Sequence, residues 1–399
     1  MMIFDIILDT VLISLSYIVP KNKSLILFGA HLGKTYNGNP RYLIEYLQNS
    51  ECKTYEYFWV TKNKNVLSKL QKIRIPVVYQ YSMKGLWKII RARYLIIDFV
   101  PKDIMPFGET TLGDFYYINT WHGSFIKKIG KLALQYGRTI SWLKYFGVSK
   151  FVQTKIKVKV YDRLIHYKKF LAASDFVKEK LEKCFKSDSF IISGYPRNDA
   201  LFKQDRNELY EHFNIHKYKE VFLYAPTYRD YNTKSIPFTE ESLDQLNNLM
   251  VEIASLMLIK VHPLDDKFES LGDKSNIKMI PDCYDDIYEA MKFSDCLITD
   301  YSGVYFDYIL KDKPVIFYQY DIIDYDKSRG IFHDIFNLLP GPFAYSFNDL
   351  LKLIKKRQEW FFNSEYQDFH NKSKNIFNYD KDGCFCKKFF DHIGINTER

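Results

Sequence analysis

An α/β chain folded as two consecutive doubly wound domains follows from three features of this sequence. Short apolar runs closed by Gly, Pro or Asp alternate with longer amphipathic stretches. The runs are apolar at nearly every residue, as strands of a parallel sheet covered on both faces are. The alternation occurs twice, and 399 residues exceed one ordinary hydrophobic core.

The first element is a helix over residues 1–20. It lacks a basic leading region and a small-residue cleavage site, so a removable export signal is not expected. Asp5 and Asp9 interrupt its apolar run and Pro20 ends it, which suits an interfacial helix, or one packed on the first domain, better than a bilayer span of about 30 Å. Strands follow at Ser24–Ala30, Tyr55–Thr61, Ile75–Tyr81, Tyr94–Phe99 and Phe115–Thr120, with helices at Arg41–Gln48, Asn65–Ile73 and Met83–Ala92. A second series comprises Phe190–Gly194, Glu220–Thr227, Met257–Pro263, Cys296–Asp300 and Pro314–Tyr320. The domains are thus expected at 21–210 and 211–375, with the boundary in the polar stretch Asp205–Lys219. A helical segment from Asp349 should pack back across the cleft, and residues 376–399 form a C-terminal tail.

Hydrophobic residues make up 47% and charged residues 26%, the balance of a globular chain. The net charge of +9 is concentrated: residues 121–170 hold twelve Lys or Arg against one acid, Asp162. Such a stretch attracts an anionic membrane surface, a phosphorylated polymer or nucleic acid. No RRM, KH or zinc-finger pattern accompanies it, so nucleic acid is not an expected partner. Of six cysteines only Cys384 and Cys386 lie close together, which offers neither a metal-site spacing nor a disulfide framework and suits a reducing, cytoplasmic compartment.

In doubly wound sheets, ligands bind beyond the carboxyl ends of the strands, and the unusual polar motifs lie there. Thr299-Asp300-Tyr301-Ser302-Gly303 opens a helix, whose first N–H groups and dipole suit a phosphate. Val261-His262-Pro263 ends a strand, with Lys260 alternating to the other face. Thr227 and Arg229 follow one proline-stiffened turn, and Arg197 and Asp199 another; guanidinium forks match phosphate. Trp121-His122-Gly123 stands on a glycine-hinged corner with Lys127 just beyond, and imidazole suits proton transfer near neutral pH. Plain structural roles are equally open to these residues: helix capping for Asp300 or Ser302, a salt bridge for either arginine, core packing for either histidine.

The ordered blocks TWHGSFIKKIG, SGYPRNDAL, YAPTYRD, KVHP, ITDYSGVYFDYILKDKPVIFY, YDKSRG and PGPF resemble the CDP-glycerol glycerophosphotransferase family, over roughly Ser24 to Phe343, and GKTYNGNPRYL resembles its N-terminal portion. The resemblance implies a GT-B arrangement in which the second domain holds CDP-glycerol or CDP-ribitol. An alditol phosphate passes to a hydroxyl of a lipid-linked or polymeric acceptor, releasing CMP, in teichoic acid or capsule synthesis on the cytoplasmic face of a bacterial membrane. It implies His122 as general base, His262 as the partner of the transferring phosphate, and Ser302 and Gly303 against the pyrophosphate. Thr227, Arg229, Asp300, Asp307 and Arg329 become donor-site candidates. No cofactor is expected, a divalent ion being left open. Gly303 departs from the family, whose members commonly carry a second serine there. The chain is also short beside polymerases with an additional N-terminal domain, which leaves primase and polymerase both open. A sugar-nucleotide glycosyltransferase of the same architecture, and a non-catalytic basic membrane protein, are the alternative readings.

Overall fold

The computed structural model describes residues 2–50, 52–134, 149–203, 208–227, 229, 236–261, 272, 274–284 and 286–397. The first sheet contains β1 (Asn22–Gly29), β2 (Glu56–Thr61), β3 (Val77–Tyr79), β4 (Ala92–Ile97), β5 (Tyr116–Asn119), β6 (Tyr167–Ala172) and β7 (Ser187–Ile192). Its order is β3-β2-β1-β4-β5-β6-β7. The second contains β8 (Glu220–Tyr224), β9 (Ser255–Ile259), β10 (Ile277–Met279), β11 (Cys296–Thr299), β12 (Val315–Tyr318) and β13 (Phe343–Ala344), in the order β10-β9-β8-β11-β12-β13. Every pairing is parallel, for example Leu27 opposite Phe58 on one side and Leu95 on the other. Both sheets therefore start from an interior strand and wind outward in both directions, the dinucleotide-fold order, with a switch point at β1/β4 and at β8/β11.

The central strands are buried along their apolar runs: Ile26, Leu27 and Phe28 in β1, and Leu256, Met257, Leu258 and Ile259 in β9. In the second sheet, Leu243, Leu246 and Met250 of the helix Glu240–Glu252 close one face. Their three- and four-residue spacing is the stripe that makes this segment an amphipathic helix.

Four strands differ from the reading of the sequence. Phe190–Ile192 is not the opening of the second series but lies in β7, the outer strand of the first sheet. Its partner β6 went unread because Lys168 and Lys169, between buried Tyr167 and Phe170, break its apolar run. β10 and β13 have three and two residues, too few for a periodic signal.

The chain separates into two compact units: Met1–His122, Ile129–Asp199 and Asp382–Arg399 form the first, Gly123–Lys128 and Ala200–Lys381 the second. The change of unit thus falls at Asp199/Ala200, before the polar stretch. The last eighteen residues belong to the first unit, where the helix Phe385–His392 buries Phe385, Phe389 and Phe390 and stacks Phe390 on Tyr46 at 5.9 Å.

Helix α1 (Met2–Ser16) packs on the first unit by its polar side. Asp9 accepts hydrogen bonds from the backbone N–H of Phe107 (3.1 Å) and Gly108 (2.7 Å), and the Tyr81 hydroxyl donates to Asp5 (3.1 Å). Burial raises the Asp9 pKa against those backbone donors. Ile3, Phe4 and Ile7 stand outward, 71%, 59% and 59% exposed. The charges that break the apolar run are therefore its anchors, and the apolar face is left to the outside. Among the described residues no helix is long and apolar enough to cross a membrane.

Candidate active site

At the switch point of the second sheet, the loops after β8 and β11 are tied together by charge. Asp300 accepts from the Thr227 backbone N–H (2.9 Å), the Thr227 hydroxyl (2.6 Å) and Arg229 Nη1 (2.7 Å). Arg229 forks onto Asp321, beyond β12, through Nε (2.8 Å) and Nη2 (3.0 Å), and the Tyr301 hydroxyl donates to the same carboxylate (3.1 Å). The rings of Tyr301, Tyr320 and Tyr325 lie 5.2, 5.5 and 5.3 Å from the guanidinium carbon. Arg229 is 1% exposed. Burial alone would lower its pKa, but Asp300 and Asp321 outweigh it and hold the guanidinium above the usual arginine value. Arg229, Asp300 and Thr227 were expected to face a donor. Their contacts within the fold brace the ends of three strands against each other. Asp321, which completes the brace, was not singled out in the sequence, though it follows the strand PVIFYQY directly.

Neighbouring candidates are also engaged by the fold. The Thr299 hydroxyl donates to the Ala225 carbonyl (2.8 Å), and Asp307, fully buried in the short helix Val304–Tyr308, accepts from the Tyr288 hydroxyl. Lys260 is buried and its backbone N–H reaches the Tyr224 carbonyl (2.9 Å). His262 and Pro263 lie outside the described residues.

Ser302 and Gly303 begin that short helix, Ser302 Oγ accepting from the Val304 N–H at 3.4 Å. A Cβ at Gly303 would stand 2.3 Å from the Ser124 carbonyl oxygen. The contact arises because Gly123–Lys128 belongs to the second unit: Lys128 N–H donates to Gly330 O (3.0 Å), Phe332 N–H to Ile126 O (2.8 Å), and Lys127 pairs antiparallel with Ile331. This strap crosses from the Gly303 turn to the Arg329–Gly330 turn and carries Lys127 with it. The absence of a side chain at Gly303 is thus a condition of the strap's close approach.

In the first unit the corresponding edge carries His122. Trp121 sits at φ +51, a left-handed conformation costing about 1–2 kcal/mol in a residue with a Cβ, and Gly123 at φ +110. Asn119 Oδ1 accepts from the Trp121 N–H (2.8 Å), and Asn39 Nδ2 donates to the Trp121 carbonyl (2.5 Å) and the Thr120 carbonyl (3.2 Å). The His122 ring lies 4.1 Å from Trp121 and 5.3 Å from Phe99 and is half-buried. Below it, Asp98 accepts from the Asn39 N–H (3.2 Å) and lies 3.6 Å from His31 Nε2. Burial drives the Asp98 carboxyl up to about 7 against the opposing charge of Arg197. Burial, then the Asp98 charge, also raises Asp103, which accepts from the N–H groups of Leu32 (2.7 Å), Asp98 (3.0 Å) and Phe99 (2.7 Å).

Arg197 is buried in the first unit, near Asp98. Asp199 caps the helix Phe385–His392 by accepting from the N–H groups of Phe385 (2.7 Å) and Cys386 (3.0 Å). Asn39, Asp98, Asp103 and His31 escaped the sequence reading; the signal for Asn39 lay in GNPRYL, quoted only for resemblance. Among the described residues no three His, Cys, Asp or Glu side chains gather as a metal site requires.

Two parallel sheets of dinucleotide-fold order, each with polar residues beyond its carboxyl edge, make this a GT-B fold. The wall teichoic acid polymerase TagF has a similar solved structure, with TM-score 0.74 and 24% identity over 97% of this chain and 92% of that one. A teichoic acid poly(glycerol phosphate) polymerase of Bacillus spizizenii is 29% identical over 367 residues, 86% of each chain. A teichoic acid glycerol-phosphate transferase of Staphylococcus aureus is 29% identical over 360 residues, 85% of each. The family described as CDP-Glycerol:Poly(glycerophosphate) glycerophosphotransferase matches residues 11–393, and this chain belongs to it. It is a transferase.

Proposed function

We propose that this protein transfers glycerol phosphate, or a related alditol phosphate, from a CDP-alditol to a hydroxyl of a membrane-linked or polymeric acceptor, in teichoic acid or capsule synthesis. In that reaction the acceptor oxygen bonds to the phosphorus bearing the alditol. The bond from that phosphorus to the bridging oxygen breaks, and CMP departs with the bridging oxygen. The acceptor proton passes to His122, whose neutral imidazole is the required form near pH 7. The observation carrying this reading is the Trp121–His122–Gly123 corner at the carboxyl edge of β5, held rigid on both sides, in a chain the family matches from residue 11 to 393.

On the second unit, Ser302, the backbone at Gly303, Lys127 and Arg329 are the groups proposed to meet the donor phosphates, stabilising charge on their oxygens. Thr227, Arg229, Asp300 and Asp307 support that surface from beneath. The protein works at the cytoplasmic face of the membrane, held by the outward apolar side of α1 and the exposed Met83 and Trp87 of the helix packed beside it. Lysine-interleaved Phe151, Val152, Ile156 and Val160, exposed on the helix Lys150–Leu164, add to this attachment.

The test is CMP release from a panel of CDP-alditols, with a UDP-sugar as control. Turnover of CDP-glycerol or CDP-ribitol, lowered about 10²–10⁴-fold to a measurable residual rate in His122→Ala while its melting temperature is retained, is the expected result. Wild-type turnover by that variant, or activity toward the UDP-sugar alone, overturns the proposal.

A further inference from the structure

We infer that Asn39 is the positioning residue of the transfer reaction, acting through the peptide unit ahead of His122; this rests on the reading of His122 as the base. His122 follows a residue in a conformation that a tryptophan does not adopt unaided. Such a backbone persists only where its surroundings over-determine it, and it transmits that constraint to the next side chain. The Trp121 N–H is held by Asn119, whose own Nδ2 donates to the Phe99 carbonyl (3.0 Å). The Trp121 carbonyl, on the side leading into His122, is held by Asn39.

Asn39 is suited to that task by what holds it in turn. It is fully buried in the first turn of α2 (Gly38–Asn49). Its backbone N–H donates to Asp98, and its side-chain oxygen accepts from the Arg197 N–H (3.2 Å). Gly38 before it allows the close approach, since a Cβ there would lie 2.7 Å from the Asp98 carboxylate. One residue therefore joins the segments after β1, β4, β5 and β7, its backbone N–H reaching Asp98 and its side-chain amide the other two. Only an amide serves, because the position needs a donor toward two carbonyls and an acceptor toward one N–H. Aspartate has nearly the same shape but turns a negative oxygen toward the Thr120 and Trp121 carbonyls.

Asn39→Asp is the experiment, with kcat and KM for CMP release read in the wild-type and in the His122→Ala backgrounds. In the wild-type background kcat should fall about 100-fold, the cost of an ångström-scale misplacement, with KM for the CDP-alditol unchanged. In the His122→Ala background the same change should cost nothing further, because the clamp acts only through the imidazole. Equal losses in the two backgrounds would overturn the inference and make Asn39 a general stabiliser. Should Asn39→Asp fail to fold, Asn39→Ser keeps a donor and a small volume. It should lower kcat about 10-fold, again only when His122 is present. Full activity of His122→Ala alone would instead strike the reading of the base and leave the fold's clamp untested by kinetics; melting of Asn39→Ser then decides it, an unchanged transition refuting the clamp.

Discussion

Replacing Arg229 by Met separates a brace from a substrate contact. The guanidinium is buried, joined to Asp300 by one ion pair and to Asp321 by two hydrogen bonds. Removing it leaves two buried carboxylates without their cation, and breaking a buried pair from one side costs about 3–5 kcal/mol. For a domain the size of the second unit, that lowers its melting transition by on the order of 10 °C. Calorimetry of Arg229→Met beside the triple variant with Asp300→Asn and Asp321→Asn is the assay. The triple variant should recover part of the loss, since the orphaned charges are gone. Arg229→Lys should also melt early, because a lysine ammonium cannot fork onto one carboxylate while reaching another. An Arg229→Met protein that melts like wild type but no longer binds the CDP-alditol would refute this reasoning and return Arg229 to the donor.

Gly303→Ser drives a Cβ against the Ser124 carbonyl and should destabilise by about 1–3 kcal/mol, as overpacking does; an unshifted melting curve would show that the strap does not lie there. Phe4→Glu with Ile7→Glu should abolish sedimentation with anionic liposomes and leave thermal stability unchanged, since both side chains point outward; retained binding counts against α1 as the anchor. Asp98→Asn tests the raised carboxyl. A folded-state pKa of about 7 against 3.8 means the folded protein binds this proton more tightly, so its contribution is complete below about pH 4 and is lost as pH rises through 7. Relative to Asp98→Asn, wild-type stability should therefore decline across pH 4–7, by up to about 4 kcal/mol, and parallel curves would refute the shift.

The central strands of both sheets could be read along the chain because burial on two faces writes itself into consecutive residues, as in SLILFG and SLMLI. The family was equally legible, being a matter of ordered local motifs. What those motifs touch was not. An arginine three residues past a proline looks the same whether its fork meets a phosphate or the carboxylates of Asp300 and Asp321, because hydrogen-bond partners are set by distance in space. An Asn-Pro pair looks like an ordinary helix start until α2 lies beside β5 and its amide meets the Trp121 carbonyl. Periodicity and composition decide which elements form; the winding of each sheet decides which carboxyl ends become neighbours, and through them which buried charges and amides hold the candidate residues.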